Sequence, residues 1–451
     1  MFHPDGTDPT LPPPTGLSRR RFLGLAAGVG AGTLLAGCGG TSGPPGQSSG
    51  GAFAGKYTGP KVTLAYWNGF TGGDGPHMRA MVQAFNGQHD NIEVQMITMQ
   101  WADYYQKVPA AVVSGKGPDV GIAHQDNLAT LAARRTILPL DDVAGDLGLR
   151  EDEFIPAIWK AGIYQDKRYG IPLDVHSLAM YWNKDLLGKA QLDAPPENAD
   201  GYEQGLSKLV TAGVTTPFWM PSQWPAHLMF LSLLWQNGGA PYTDDGAKAT
   251  FNSDAGVAAL SWMVDQIKKG FSPRNVALDT QYNAFKIGKN AVTWDGIWQI
   301  NDLKTTAPKL RWGIGFLPQV GEQKAVWANG HNFVLMSQRS PDDNKLQAAK
   351  VFIDYISKQS IEWARSGMIP ARNSVRQSAE FGQLTQATVA KDVDAMRFMI
   401  AVPGIGDVNT QTFQNAVAKA TLLQQSPKDT LDQAAGQADK LLADNRTKFG
   451  G

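Results

Sequence analysis

Strand and helix patterns alternate over the segment 61–126, and this order constrains the fold more than any other feature of the chain. The strand patterns lie at 61–66, 92–96 and 120–123, and the helical patterns at 78–85 and 104–113. A β-α-β-α-β order predicts an α/β fold with a doubly wound, mainly parallel sheet. In such a sheet, ligands bind at the carboxyl ends of the strands.

The residues that follow these three strand patterns are polar or aromatic. They are Trp67, Asn68, Gln100, Trp101, His124, Gln125 and Asp126. Because the carboxyl ends of parallel strands meet at one edge of a sheet, these side chains are candidates for ligand binding. Ordinary capping and turn chemistry is the alternative explanation for each of them taken alone.

The segment 286–303 combines a strand, a turn and a helix start with aromatic and acidic residues. Its apolar strand pattern ends at Trp294. Asp295 and Gly296 then form a turn signal, and apolar residues recur after them at helical spacing. We expect Trp294, Asp295 and Trp298 to face a cleft. The alternative is that both tryptophans are core residues and that Asp295 caps the helix.

Further candidates come from shorter motifs. Asp174 and His176 lie at and just after an extended run that begins at residue 169, and Gly330 with His331 marks the entry to another apolar strand pattern. Trp224 adds another aromatic ring. A histidine in such a position is most often structural, and that alternative stays open for His331.

The histidines and the single cysteine form no metal-binding motif. The chain has 7 histidines and 1 cysteine, with no H-E-x-x-H sequence, no second histidine at ligand spacing and no possible thiolate cluster. We therefore predict that the protein has no metal site and no cofactor.

The length of the chain bears on the number of domains, and its net charge bears on the partners that it can bind. A chain of 451 residues is too long for one ordinary core, so two domains are expected. Lys plus Arg and Asp plus Glu number 41 each, which leaves no electrostatic footprint for nucleic acid. The expected partners therefore do not include nucleic acid, and a monomer is expected.

The first part of the chain is similar to an export signal. Three arginines at 19–21 precede an uncharged apolar run at 22–35, which is too short to span a bilayer, and Cys38 follows. The arrangement resembles a bacterial lipoprotein signal of the twin-arginine type over residues 1–38. The resemblance implies that Cys38 is lipidated and anchors the protein at the outer face of the cytoplasmic membrane. Residues 39–59, rich in Gly, Ser and Pro, are predicted to be a flexible tether.

Several motifs occur in an order that resembles one family over residues 60 to 446. They are the helix followed by GPDV at 104–120, YGIPLDVHSLAMYWNKDLL at 169–187, GKNAVTWDGIWQINDL at 288–303, WGIGFLP at 312–318 and SGMIPAR at 366–372. Together they resemble the extracellular solute-binding proteins of ABC importers, in the carbohydrate-binding branch that includes maltose-binding protein.

The resemblance implies a two-lobed periplasmic-binding-protein fold that closes like a flytrap, with a doubly wound, mainly parallel sheet in each lobe. It implies chain crossings near 171–175, 293–296 and 332–338. The first lobe would combine 60–172 with 297–336, and the second 174–293 with 339–446. The resemblance also places Arg372 near the closed cleft, with a surface ion pair as the alternative.

The function implied is capture of a sugar or oligosaccharide between the lobes and its delivery to a membrane permease, without catalysis. A sugar needs carboxylates and amides around its rim and aromatic rings against its faces, and the candidates supply both. Two alternatives remain. The same fold could bind a glycerophosphodiester or glycerol phosphate, or paired aspartates could serve a glycoside hydrolase.

Overall fold

The computed structural model describes residues 55–450. The predicted signal, Cys38 and residues 39–54 of the predicted tether lie outside the described residues. Between 55 and 450, none of the helices has the length and apolar character that a membrane crossing requires.

Strands and helices alternate at the start of the described chain, and runs of consecutive strands or consecutive helices follow. The strands are β1 Val62–Asn68, β2 Ile92–Thr98, β3 Val120–His124, β4 Ile163–Tyr164, β5 Lys167–Arg168, β6 Ile171–Pro172, β7 Asp174–Asn183, β8 Val292–Gly296, β9 Trp312–Gly315, β10 Val326–Asn329, β11 His331–Leu335, β12 Ile369–Pro370 and β13 Met396–Arg397. The helices are α1 Gly75–Asn86, α2 Trp101–Ser114, α3 Gln125–Ala133, α4 Asp141–Asp146, α5 Pro156–Ala161, α6 Lys184–Lys189, α7 Ala199–Thr211, α8 Ala226–Gln236, α9 Asp254–Lys268, α10 Thr280–Lys286, α11 Ile300–Thr306, α12 Asp343–Lys358, α13 Ser360–Ala364, α14 Asn373–Arg376, α15 Ala379–Gly382, α16 Ala387–Ala390, α17 Ile405–Gln411, α18 Phe413–Thr421 and α19 Pro427–Phe449. Short 3₁₀ helices lie at Glu151–Glu153, Ile297–Gln299 and Val393–Ala395.

The first lobe is built on a five-stranded sheet in the order β2-β1-β3-β11-β6. Strands β2 and β3 run parallel to β1, as the strand-helix alternation predicts. Strand β11 arrives from far along the chain and runs antiparallel to both β3 and β6. The alternating residues Val62, Leu64 and Tyr66 of β1 are buried because that strand is central and covered by helices.

The second lobe is organised around β7, which is ten residues long and buried along almost its whole length. Strands β8, β9, β10 and β12 all pair with it in antiparallel fashion, and β13 runs parallel to β10. The predicted two-lobed α/β architecture is present. The second sheet, however, is mostly antiparallel, because successive strands pair with one long strand and do not wind through crossover helices.

Two segments lie in a different lobe from the one predicted. Strands β9 and β10 belong to the second sheet, although the segment 297–336 is predicted in the first lobe. Helix α12 packs on the first sheet, although 339–446 is predicted in the second, and Phe352 of α12 lies with its ring 5.2 Å from that of Tyr66. The difference arises because the chain enters the first lobe at Gly330 and stays there through α12.

Two chain crossings lie side by side. Leu173 joins β6 to β7, as predicted, and Gly330 joins β10 to β11, a little before the predicted 332–338. The Leu173 N–H donates to the His331 carbonyl at 2.8 Å, which ties one crossing to the other. The predicted crossing at 293–296 is wrong, because this segment is β8 and pairs with β7 inside the second sheet.

Trp294 and Asp295 lie in the core of the second lobe. The Trp294 side chain is 0% exposed, and its ring stacks on that of Trp262 at 5.4 Å and meets that of Phe218 at 5.1 Å. Asp295 is equally buried and accepts hydrogen bonds from the Gly296 N–H at 2.7 Å and from the Gln299 side-chain amide at 3.3 Å. The expectation that both face a cleft is therefore wrong, because both faces of β8 are covered.

Replacing Trp294 by alanine should destabilise the fold. We expect the free energy of unfolding to fall by about 3–5 kcal/mol, because a large apolar side chain is lost from a closed core. Urea unfolding followed by circular dichroism measures the change. Trp224→Ala is the matched control, since that indole is 39% exposed and its loss should cost less than about 1 kcal/mol. Similar losses in both variants would contradict the core assignment.

Asp295 should make the stability depend on pH. Burial raises its pKa to about 7, whereas the pKa of an unfolded aspartate is about 3.9. The folded protein therefore keeps a proton that the unfolded chain releases, and stability falls as pH rises from about 4 to about 7. At about 1.4 kcal/mol per pKa unit the loss is about 2–4 kcal/mol.

Asp295→Asn should remove this dependence, because an amide does not ionise. The measurement is the free energy of unfolding of both proteins between pH 4 and pH 7, and the difference between the two curves isolates Asp295. Two parallel curves would show that the Asp295 carboxyl group is ionised in the folded protein throughout this range.

Candidate functional site

A cavity of about 750 Å³ lies between the two lobes. The first lobe contributes the turn after β1, the start of α2, the end of β3 and the start of α3. The second lobe contributes residues at the start of α8, the end of β10 and the helices α17 and α18. The described residues that line it are Gly69, Thr71, Gly72, Gly73, Asp74, Trp101, His124, Asp126, Asn127, His176, Trp224, His227, Leu228, Leu231, Trp298, Gln299, Asp302, Trp327, Asn329, His331, Met368, Met399, Gly406, Asn409, Thr410, Phe413 and Gln414.

The strand ends of the first sheet reach the cavity in part. Trp101, His124 and Asp126 line it, whereas Trp67, Asn68, Gln100 and Gln125 do not. The Asn68 side chain is fully buried and accepts hydrogen bonds from the Phe70 N–H at 3.2 Å and the Thr98 hydroxyl at 3.0 Å. Asn68 therefore shapes the turn after β1, which is the structural role left open for any single strand-end residue.

The other three of these strand-end residues lie outside the cavity wall for similar reasons. Trp67 packs against the smaller apolar core beside α2, and Gln125 is buried at the start of α3. The Gln100 side chain accepts a hydrogen bond from the Thr71 hydroxyl at 3.2 Å on the surface.

Asp174 lies behind the cavity wall and holds two histidines that are part of it. Its carboxylate accepts hydrogen bonds from His331 Nδ1 at 2.8 Å and from His176 Nδ1 at 3.3 Å. Burial alone would raise the pKa of Asp174, but the neighbouring His331 and the hydrogen bonds from both histidines lower it below its usual value. Asp174 is therefore a buried anion that positions His176 and His331 and does not itself line the cavity.

Trp298 and Trp224, two of the residues predicted to bind ligand, lie side by side in the cavity wall. Their ring centroids lie 6.0 Å apart, and Trp298 also faces Trp327 at 6.4 Å. Gly296 lies under the Trp298 ring and not on the cavity surface, and a Cβ atom there would lie 2.2 Å from the ring carbons. Gly296 is thus needed for the position of Trp298.

Arg372 and Gly330 do not line the cavity. The Arg372 Nε–H donates to the Ser357 hydroxyl at 2.7 Å, and its guanidinium lies 5.0 Å from the Phe154 ring centroid and 3.8 Å from Glu153. The ion-pair alternative therefore describes Arg372 better than a place in the cleft. Gly330 serves the crossing between the lobes, next to His331.

Several lining residues are absent from the sequence prediction. They are Asp74, Asn127, His227, Gln299, Asp302, Trp327, Asn329, Asn409, Thr410, Phe413 and Gln414, with the apolar and glycine positions of the wall. A usable signal existed for Asp74, which follows two glycines just after β1, and for Asn329, which precedes Gly330. No local pattern marks Asn409 to Gln414, because helices α17 and α18 reach the cavity only through long-range packing.

The cavity wall carries carboxylates and aromatic rings. Asp74, Asp126 and Asp302 line it, and none of the described lining residues is a lysine or an arginine. Burial raises the pKa of Asp74 and of Asp126 and lowers the pKa of His124 well below its ordinary value. Such a wall offers hydrogen bonds and flat apolar surfaces to a solute without offering a fixed side-chain cation.

Three histidines of the wall lie together. One ring nitrogen from each of His124, His176 and His331 lies within 4.8 Å of the other two. The prediction of no metal assumed that no second histidine lies at ligand spacing, and that assumption is wrong in three dimensions. The spacing in sequence gave no sign of it, because each histidine comes from a different strand.

The chain is similar to several known proteins. A binding protein of Brucella abortus (strain 2308) is 24% identical over 393 residues, covering 85% of this chain and 93% of the relative. The sn-glycerol-3-phosphate-binding periplasmic protein of Shigella dysenteriae serotype 1 is 24% identical over 332 residues, 68% of this chain and 74% of the relative.

A solved structure shares the fold. The cyclic alpha-maltosyl-1,6-maltose binding protein from Arthrobacter globiformis superposes with a TM-score of 0.72 at 22% identity, over 86% of this chain and 100% of that one. At this identity the similarity shows the fold, and it confirms the predicted two-lobed architecture.

The family model for bacterial extracellular solute-binding proteins matches residues 80–390, which is well over half of the chain. The match includes strands of both sheets and most of the residues around the cavity. The chain therefore belongs to the family of bacterial extracellular solute-binding proteins and is exported.

Proposed function

We propose that the protein captures a sugar or oligosaccharide in the cavity between its lobes for an ABC importer. The observation that carries the proposal is the composition of the cavity wall. Indole rings of Trp101, Trp224, Trp298 and Trp327 share one space with carboxylate, amide and imidazole groups. Aromatic faces suit the C–H surfaces of a sugar ring, and charged acceptors make strong hydrogen bonds to its hydroxyl groups.

Capture would work by closure of the lobes. The cavity is lined from both lobes, which are joined by the adjacent crossings at Leu173 and Gly330. A solute that contacts both walls gains its full set of interactions only when they approach each other, so it shifts the population toward the closed form. The closed form would then dock on the permease of the importer.

Glycerol phosphate is the competing solute, because the Shigella relative is named for binding it. A phosphate group is best held by arginine, lysine or a cluster of backbone N–H groups. None of the described residues lining this cavity is a lysine or an arginine, and three are aspartates. The wall therefore favours a neutral polyhydroxylated solute.

We also infer that the solute is released unchanged. A glycoside hydrolase needs two carboxyl groups flanking the scissile bond. Of the aspartates predicted for the site, Asp174 and Asp295 are buried outside the cavity wall, whereas Asp126 lines it together with Asp74 and Asp302. Family membership favours binding over catalysis, and incubation with oligosaccharides followed by product analysis would reveal any hydrolysis.

Trp298→Ala should weaken sugar binding by about 10- to 100-fold, because an aromatic anchor against a sugar face would be lost. Calorimetric titration with the sugar that most raises the melting temperature in a panel of mono- and oligosaccharides measures the effect. Trp219→Ala is the matched control, since Trp219 donates to Thr216 outside the cavity and should leave affinity unchanged.

The same panel includes glycerol 3-phosphate and glycerophosphocholine. A rise in melting temperature with these esters and with none of the sugars would show that the protein binds the competing solute and not a sugar. Equal losses of affinity in Trp298→Ala and Trp219→Ala would contradict the placement of the ligand against Trp298.

We propose that Cys38 is lipidated and tethers the exported protein, as a monomer, to the outer face of the cytoplasmic membrane. Cys38→Ser should move the protein from the membrane fraction to the soluble fraction, because the acyl chains would no longer be attached. Immunoblots of fractionated cells measure the distribution. Unchanged membrane association of Cys38→Ser would contradict lipid anchoring.

A further inference from the structure

Strand pairing brings three histidines to one point of the cavity wall. His331 opens β11 and lies directly opposite His124, the last residue of β3, in the antiparallel register. His176 in β7 reaches the same point from the second sheet. The ring centroids of His331 lie 4.8 Å from those of His124 and 4.5 Å from those of His176. The cluster is therefore fixed by the backbone of both lobes.

The Nδ1 atoms of all three histidines are engaged in hydrogen bonds. The Asp174 carboxylate can only accept, so His176 and His331 must each carry a proton on Nδ1 to make their bonds of 3.3 and 2.8 Å. Their Nε2 atoms then carry lone pairs in the neutral form. His124 Nδ1 is held at 2.8 Å by the Tyr105 hydroxyl, which can accept as well as donate.

Among residues 55–450, the Nε2 atoms of the three histidines have no hydrogen-bond partner. Within the described part of the chain, the side-chain hydrogen bonds of these three histidines all use Nδ1. Asp174 itself is fixed by the Trp363 indole N–H at 2.6 Å and the His331 backbone N–H at 3.1 Å. A carboxylate that orients histidines through Nδ1 is the usual outer layer of a histidine-bound metal.

We propose that His124, His176 and His331 bind a divalent transition metal ion such as Zn²⁺ through their Nε2 atoms. Three imidazole ligands and one open position are typical of zinc sites that accept a further ligand. Bonds of about 2.1 Å in tetrahedral geometry place the nitrogens about 3.4 Å apart. One ring nitrogen of each histidine already lies within 4.8 Å of the other two, so the rings would move inward on binding.

The fourth position of the ion would face the cavity, because all three histidines line it. An oxygen donor of a solute, such as a pair of hydroxyl groups or a carboxylate, could complete the coordination there. The ion would also supply a positive charge to a wall in which none of the described lining residues is a lysine or an arginine. This role toward a solute rests on the proposed function, whereas the metal site itself does not.

The test is a titration of the full chain, produced without a histidine tag and freed of metal with a chelator, with Zn²⁺ in a calorimeter. We expect one Zn²⁺ per chain. His124→Gln should weaken binding by at least about 100-fold, because one of three ligands is lost. His227→Gln is the matched control, since His227 lines the same cavity outside the cluster and should leave affinity unchanged.

Each outcome decides the proposal. Absence of stoichiometric Zn²⁺ binding by the wild-type chain overturns it, whether or not sugars bind. Equal loss of affinity in His124→Gln and His227→Gln also overturns it. Circular dichroism of the metal-free variants verifies folding, and His331→Gln replaces His124→Gln if the latter does not fold. The sugar panel, run in chelator, tests the proposed function separately.

The open fourth position of the metal ion can be tested separately by spectroscopy. Co²⁺ replaces Zn²⁺, and its visible spectrum reports the coordination shell. Added imidazole should shift the spectrum of the Co²⁺-loaded protein by occupying the fourth position. A spectrum that imidazole leaves unchanged would overturn the open position, and a spectrum typical of hexaaquo Co²⁺ would overturn the histidine site.

Discussion

The buried carboxylate of Asp174 is the interaction on which the junction between the lobes depends. Asp174 is the first residue of β7 in the second sheet. Its carboxylate accepts hydrogen bonds from His331, the first residue of β11 in the first sheet. An ionised group without partners would be costly at this depth, so its donors must stay in place. The same bonds aim two histidines into the cavity. Fold stability and the geometry of the cavity wall are therefore coupled through one side chain.

Much of the first lobe could be predicted from the sequence, because β1, β2 and β3 alternate with helices and each leaves a local pattern. The rule that ligands bind at strand ends predicted Trp101, His124 and Asp126, which all line the cavity. It failed at Trp294, because a strand-end tryptophan is indistinguishable in sequence from a core tryptophan when both faces of the strand are covered. The second sheet was misjudged because its pairing depends on the long β7, and pairing partners leave no local signal.

The histidine cluster also could not be predicted from the sequence. Metal motifs in sequence report ligands on one helix or one loop, where spacing fixes distance. His124 and His331 meet because two strands far apart in the chain pair in one register, and His176 joins them across the lobes. A shift of that register by one residue would turn His331 to the opposite face of the sheet. The site is thus a property of strand pairing and not of a motif.

Gly330 allows the two crossing segments to lie very close together. A Cβ atom at this position would lie 2.7 Å from the Asp174 carbonyl oxygen, so the two crossing segments approach as closely as backbones without side chains allow. Because the segments are adjacent and hydrogen-bonded to each other, a side chain at position 330 would force them apart where the two lobes meet.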